Sequence, residues 1–333
     1  MKILILGGTS FFGLETANLL QKGGHDVTVF SRRCPAPDLH LDIRQSRGDR
    51  TVEADLVRMS VDRWDAVIDN ICYNGADAEK AVRIFSGRVG LYIFTSSSAV
   101  YSTLEAAPTP YRENMTALLP PRAEPRRTSY YDYAAAKAEA EKVFLNAAEK
   151  ISFPALMVRP PVVIGPRDHT LRAYSYWLRL ADGSPLFLPG AAFRASYVFS
   201  RDLAAAFSAL LTSGAAPGSF FNIAGTEALS LEDFVKLSAR IMHREAAILT
   251  PPKDWMKANG WDPAASPLSG GGDFILDVSK ALRELDWRPS PAEGVLKETI
   301  GWFLMKYTGP APGNYAGRKA ELALAEKWKT EAA

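Results

Sequence analysis

A parallel α/β sheet covered by helices on both faces, followed by a smaller C-terminal lobe, is the architecture that this 333-residue chain predicts. Two observations carry it. Short apolar runs alternate with helical patterns through the first half, and the first run ends in a glycine-rich turn that opens a helix. The length accommodates one large α/β domain plus a second lobe with an ample core.

The elements follow in order. Strands are expected at Lys2–Leu6, Asp26–Ser31, Ala66–Asn70, Gly90–Ser96 and Ala155–Arg159, and helices near Phe12–Lys22, Ala76–Ile84 and Ser129–Lys150. Leu104–Arg127, rich in proline and charge, reads as a surface loop near the site, either a lid or an inert connection. After Arg159 the pattern loosens into segments punctuated by Pro and Gly, with helices near Arg201–Leu211, Ser230–His243 and Ala292–Tyr307. The first domain is therefore drawn at residues 1–165, with later segments near 196–226 returning to it. Residues 166–310 make mainly the smaller lobe, and 311–333 a tail whose charged stretch Lys319–Thr330 suits a solvated helix.

Composition narrows the class. The chain is 47% hydrophobic and 23% charged, and its formal net charge of +2 offers no broad basic footprint for nucleic acid. Cys34 and Cys72 are too few for a disulfide framework, which makes a reducing cytoplasm the default expectation. His25, His40, His169 and His243 are scattered, so no metal site is expected. No apolar stretch approaches the ~20 residues that span a bilayer.

Gly7-Gly8-Thr9-Ser10-Phe11-Phe12-Gly13 joins the first strand to the first helix. Glycines there permit a tight turn and close backbone approach, and the helix N-terminus offers unpaired N–H groups to a pyrophosphate. Set at βαβ spacing, the run predicts a dinucleotide site in a Rossmann-type domain, with the smaller lobe left for substrate. Asn70, ending a strand, and Pro160, following Arg159, are assigned to the same cofactor site. The second strand ends in Ser31-Arg32-Arg33, where a carboxylate would bind a ribose 2′-hydroxyl. Guanidinium suits a 2′-phosphate instead, so NADP is expected, with NAD as the alternative if the arginines only solvate a loop tip.

Tyr133 and Lys137 lie four apart on a predicted helix and so share one face. A cation beside a phenol favours phenolate and brings a group of pKa ~10 toward proton transfer at neutral pH. Thr95-Ser96-Ser97-Ser98 ends a buried strand between the glycine turn and this pair. Nucleotide loop, then serine, then tyrosine and lysine is the order a hydride-transfer site needs.

In these features the chain resembles the extended short-chain dehydrogenase/reductase family, which includes nucleotide-sugar epimerases, dehydratases and reductases. The resemblance covers nearly the whole chain. It rests on Gly7 and Gly13, on Phe94–Tyr101, on Tyr133–Glu141 and on the stretch Arg159–Asp168. Later signatures are Val198–Ala204 with Asp202, Phe221-Asn222-Ile223 and Asp277–Trp287. It implies Tyr133 as general acid/base, Lys137 as the residue that lowers its pKa and holds the nicotinamide ribose, and Ser97 as hydrogen-bond partner of the reacting oxygen, with Ser96 and Ser98 as rivals.

Departures from the family pattern bear on substrate. Where dehydratases place an acidic pair this chain has Ser98 and Ala99, and where epimerase-reductases of deoxyhexoses place a cysteine it again has Ala99. At the two arginine positions that hold a substrate diphosphate in 4-epimerases stand Ala195, beside Arg194, and Gly270. Ser10 replaces the middle glycine of the first motif. The opening Gly-Gly-Thr-x-Phe-x-Gly, with Asp69-Asn70-Ile71-Cys72-Tyr73, is similar to a divergent branch that includes stem-loop RNA-binding proteins of chloroplasts. The expectation is reversible hydride transfer at a secondary alcohol or ketone of a small molecule, by a sugar-nucleotide epimerase or reductase. The alternatives are a reductase of a non-nucleotide molecule and a non-catalytic dinucleotide-binding module. Ala134–Ala136, Ala138 and Ala140 would permit close helix approach in a homodimer, or burial within one chain.

Overall fold

The computed structural model describes residues 1–124, 128–188, 192–261, 266–269 and 271–332. The chain divides into two compact units, one of Met1–Val163, Val198–Ala224 and Leu276–Pro289, the other of Ile164–Tyr197, Gly225–Ile275 and Ser290–Ala333.

In the first unit β1 (Lys2–Leu6), β2 (Asp26–Ser31), β3 (Arg44–Arg47), β4 (Trp64–Asp69), β5 (Val89–Thr95), β6 (Ala155–Arg159) and the strand Phe220–Asn222 form one seven-stranded sheet. All its pairs are parallel, in the order Phe220–Asn222, β6, β5, β4, β1, β2, β3. Alternating side chains explain the two layers of core. Ile3, Ile5, Val27, Val29, Ile68 and Val158 face α1 (Phe11–Lys22) and the helix Ser200–Leu210. Leu4, Leu6, Phe30, Val67, Tyr92 and Phe94 face the side of α3 (Gly75–Phe85) and α5 (Ser129–Ile151). The sheet is thus buried on both faces, which is why its central strands read as unbroken apolar runs.

Several elements went unread, among them two in the first unit. β3 is the polar tetrapeptide Arg-Gln-Ser-Arg on the sheet edge, without an apolar run to reveal it, and α2 (Glu53–Met59) buries only Leu56. The 104–127 segment also proves more ordered than a plain loop. It carries the short helix α4 (Met115–Leu118), and isolated bridges join Leu104 to Pro121 and Tyr111 to Leu276. Pro125, Arg126 and Arg127 lie outside the described residues.

The second unit is mostly helical, with Arg172–Asp182, Leu231–Ile241, Ala292–Lys306 and Arg318–Ala332. The stretch expected to be a solvated tail is built into it: Ala325 is fully buried, in a cluster with Phe187, Met256 and Trp261. The Glu321 carboxylate accepts from Arg179 Nε (2.9 Å) and from the Phe187 N–H (3.1 Å), while Arg318 grips Asp182 through two nitrogens (2.8 Å each). Leu276–Pro289, within the stretch assigned mainly to the smaller lobe, belongs to the sheet unit, where Trp287 Nε1 donates to the Asp202 carbonyl. Trp177 and Phe187 are 0% and 1% exposed and serve as core of the second unit. Among the described residues no helix is long and apolar enough to cross a membrane.

Candidate active site

β1 pairs with β2 on one side and β4 on the other: the chain builds outward from β1 through β2 and β3, then crosses back to β4, and the crevice beyond the strand ends opens at that reversal. Gly7 leaves β1 with φ +85, a conformation glycine adopts without strain, and its missing side chain matters as much: a Cβ would lie 2.5 Å from Ile71 Cγ2. A Cβ on Gly13 would sit 2.3 Å from the Gly7 carbonyl, so α1 starts pressed against the turn. Ser10 is the extended N-cap of α1, without a side-chain cap bond, and Phe11 follows with φ +50. Asn70, at the tip of β4, accepts from Thr95 Oγ1 (2.7 Å), while its Nδ2 is buried with no hydrogen-bond partner, 3.3 Å from the position a Gly13 Cβ would take. An orphaned amide beside a turn from which side chains are excluded fits the ribose-pyrophosphate of a dinucleotide.

At the tip of β2, Thr9 Oγ1 and the Ser31 hydroxyl are 3.0 Å apart, and Ser31 also accepts from the Arg33 N–H (3.2 Å). Arg32 and Arg33 are exposed. The Arg32 guanidinium stands 3.7 Å from the Asp49 carboxylate, both in contact with solvent. The tip thus carries both a guanidinium and a carboxylate.

Tyr133 and Lys137 occupy α5, whose N-cap Thr128 accepts from the Tyr131 N–H. Lys137 is 2% exposed; Nζ donates to the carbonyls of Cys72 (2.6 Å) and Thr95 (2.8 Å), just beyond β4 and at the end of β5, and lies 6.0 Å from the Tyr133 ring centroid. Burial lowers this lysine to about 8. Two of three ammonium donors are thereby taken, leaving one for a ligand. Tyr133 keeps 38% of its surface exposed. The serine run separates by environment. Ser96 is buried and donates to Glu141 (2.6 Å), and Ser98 is buried with its N–H on the Pro160 carbonyl (2.9 Å). Ser97, partly exposed, caps the turn Ser98–Thr103 by accepting from the Ala99 N–H (3.2 Å). Of the three, only Ser97 is not buried. Its capping bond is real as well.

Sequence reasoning missed the charged supports. The Arg159 guanidinium, fully buried at the end of β6, holds Glu141 bidentately (2.8 Å to each oxygen) and also donates to Tyr101 Oη, the Glu113 carbonyl and Thr116 Oγ1. Tyr101 in turn donates to Asn222 (2.8 Å). Glu141 is one helical turn beyond Lys137, and its partner Ser96 precedes Ser97. The pair therefore fixes α5 against the ends of β5 and β6. On the cofactor side Arg50 binds Asp69 (2.7 Å) and Asp77 (3.0 Å), and Tyr92 Oη also donates to Asp69. Burial works against the Arg50 charge, but Asp69 outweighs it and holds that guanidinium protonated. The signal for both supports was an Arg or Asp inside an apolar run, since a charge is buried there only with a partner. Cys72 is fully buried, its thiol pushed up by desolvation.

In the second unit Arg194, next to the diphosphate position Ala195, is paired with Asp273 (2.9 Å). Gly270 lies outside the described residues. His169 is exposed, and no cluster of metal-binding side chains occurs among the described residues.

This is the glycine turn and strand-end site of a nicotinamide-dinucleotide enzyme class, and residues 3–224 match the model of the NAD dependent epimerase/dehydratase family. The chain belongs to that family. It is 28% identical over 308 residues to the chloroplast stem-loop binding protein of 41 kDa b of Arabidopsis thaliana, covering 86% of this chain and 75% of that one. It is 27% identical over 262 residues to 2′-dehydrokanamycin reductase of Streptomyces kanamyceticus (77% and 70% covered). It is 29% identical over 266 residues to 2-alkyl-3-oxoalkanoate reductase of Stenotrophomonas maltophilia (71% and 74% covered). The fold matches dTDP-glucose 4,6-dehydratase of Bacillus anthracis in complex with NAD, with TM-score 0.72, 17% identity and 92% and 97% of the two chains covered. UDP-N-acetylglucosamine 4-epimerase of Methanobrevibacter ruminantium gives TM-score 0.72 at 18% identity, with 92% and 99% covered.

Proposed function

We propose that this protein is an NAD(P)-dependent oxidoreductase that interconverts a secondary alcohol and a ketone on a small molecule carrying no nucleotide diphosphate. The observation that carries the reading is one helix face, on which the half-exposed Tyr133 stands a turn from a buried lysine lowered to about 8. When bound, the nicotinamide supplies or accepts the hydride. Tyr133 moves the proton on the substrate oxygen, and the Ser97 hydroxyl donates to that oxygen as charge develops on it. Lys137, held by two carbonyls, keeps a positive charge near the phenol and turns its remaining N–H to the nicotinamide ribose. Gly7, Thr9, Ser10, Phe11, Phe12 and Gly13 cradle the pyrophosphate, Asn70 and Pro160 border it, and Arg32 and Arg33 with Ser31 take a 2′-phosphate.

The substrate class follows from charge. Ala195 offers no cation, and Arg194 is engaged by Asp273, so the bidentate contacts that recognise a diphosphate are lacking there. Two of the relatives are named as reductases, which favours net reduction over epimerisation. The sugar-nucleotide epimerase remains the second reading, favoured by the fold neighbours. A dinucleotide-binding module for RNA is the third, favoured by the chloroplast relative and opposed by the intact Ser97, Tyr133 and Lys137.

Turnover separates the three. Wild type and Tyr133→Phe would be assayed with NADPH and NADH against ketones of polyols, aminoglycosides and oxoacids, and against UDP- and dTDP-hexoses. Reduction of a ketone, reduced ~10²–10⁴-fold by Tyr133→Phe with cofactor affinity unchanged, supports the proposal. Epimerisation of a nucleotide sugar that is lost in Arg194→Ala overturns it in favour of the second reading. A fully active Tyr133→Phe would sink the assignment of the acid/base.

A further inference from the structure

The first unit holds a cavity of about 660 Å³ beside α5 and outside the site above: Gly7, Ser97, Tyr133 and Lys137 do not line it. Its walls come from the 103–121 segment, α5, the start of the strand Phe220–Asn222 and the helix Ser279–Glu284. The volume lies within the ~300–1,000 Å³ of ordinary small-molecule pockets. Leu104, Leu119, Pro121, Leu145 and Phe220 give it an apolar interior.

The charges around it decide what it would take. Glu141 is neutralised by Arg159, and Asp277 by Arg112 (3.2 Å). Burial raises the Glu113 carboxyl, which accepts from the Asn222 N–H, while Lys280 Nζ donates to the Phe220 carbonyl (2.9 Å). Lys142 and Arg283 are left, both exposed at the cavity and neither in a hydrogen bond or ion pair with another described residue. Every acid that lines the space is therefore bonded within the protein, and two cations are not. An apolar chamber with surplus positive charge at its wall is complementary to a molecule with an apolar body and one anionic end.

We propose that this cavity is a binding site for an amphipathic anion, an alkyl or ring body seated against Leu119, Leu145 and Phe220 with a carboxylate or phosphate held by Lys142 and Arg283. A neutral lipid would leave both cations without a partner. A cationic ligand would meet them with no free acid to offset them. The proposal is independent of the reaction assigned above.

Calorimetric titration of the full chain, saturated with dinucleotide, tests it with decanoate, decyl phosphate and decanol, each below its micellar concentration. Either anion should bind at one site per chain, and decanol roughly tenfold more weakly or worse, since the charge-assisted contacts are absent. Which anion binds more tightly identifies the head group. Lys142→Glu with Arg283→Glu should weaken the anions at least tenfold, and Leu145→Trp, which fills the chamber, should remove them, with dinucleotide affinity unchanged in both as the check on folding. Absence of saturable binding by either anion, equal binding of decanol, or an affinity unaffected by the double charge reversal would each overturn the proposal. So would anion binding retained in a folded Leu145→Trp, which would place the ligand elsewhere.

Discussion

At the scale of single residues, Lys137 carries a measurable consequence of its burial. Its folded value is about 8, against 10.5 for an unburied lysine. Between those values the unfolded chain holds a proton that the folded chain has released, so this residue makes stability rise with pH across that window. Below about 8 both states are protonated, and its contribution is constant. Urea unfolding of wild type and Lys137→Met should therefore diverge in favour of wild type as pH climbs from about 8 toward 10.5, by up to about 1.4 kcal/mol per unit. A constant difference would mean the ammonium stays charged in the fold. The Glu141–Arg159 pair makes a second test. Glu141→Ala leaves a fully buried guanidinium uncompensated and should cost about 3–5 kcal/mol, whereas Glu141→Met with Arg159→Met should recover much of that stability. If the pair positions the α5 face, kcat stays low in the stable double variant; restored kcat would make it purely structural. The residues proposed to touch ligand were legible because few residue types perform such chemistry. Those behind them were not, since Arg159 and Asp69 look like strand ends until their partners arrive from distant sequence.

At the scale of elements, the start of α1 is set by what is missing from it. Gly13→Ala places a methyl 2.3 Å from a backbone carbonyl, so turn and helix must part, which displaces the N–H groups proposed to face the pyrophosphate. We expect the dinucleotide Kd to rise at least tenfold while the sheet keeps its circular-dichroism signature; an unchanged Kd would show that the turn relaxes freely. At the tip of β2, Arg32→Ala with Arg33→Ala should erase a preference for NADP over NAD of roughly ten- to a hundred-fold. Equal wild-type affinities by calorimetry would return the arginines to solvent and leave Asp49 as the feature that matters there. Central strands were readable because burial on both faces leaves no polar interruption. β3 was not, because an edge strand of Arg-Gln-Ser-Arg owes its conformation to pairing with β2 and not to its own side chains.

At the scale of the whole molecule, the C-terminal helix Arg318–Ala332 shows how far charge composition misleads. Its polarity suggests solvent, yet Glu321 is 1% exposed and satisfies Arg179, itself 2% exposed. Glu321→Ala should destabilise the second unit by about 3–5 kcal/mol, because the buried Arg179 loses its carboxylate. Local unfolding measured by hydrogen exchange should then rise in Arg172–Asp182 while β1–β6 keep their protection. Uniform loss of protection would indicate that the two units unfold together.

The sheet has one more consequence, in the order of synthesis. β6 pairs on its outer side with Phe220–Asn222, and the core on one of its faces is completed by Ala281, Leu285 and Trp287. A nascent chain that has just finished β6 therefore presents a bare strand edge until some sixty further residues have emerged, beside apolar surface that stays uncovered until Trp287 follows, about 130 residues on. At ~5–20 residues per second that exposure lasts seconds, long enough for a chaperone to bind or for neighbouring nascent chains to pair edge to edge.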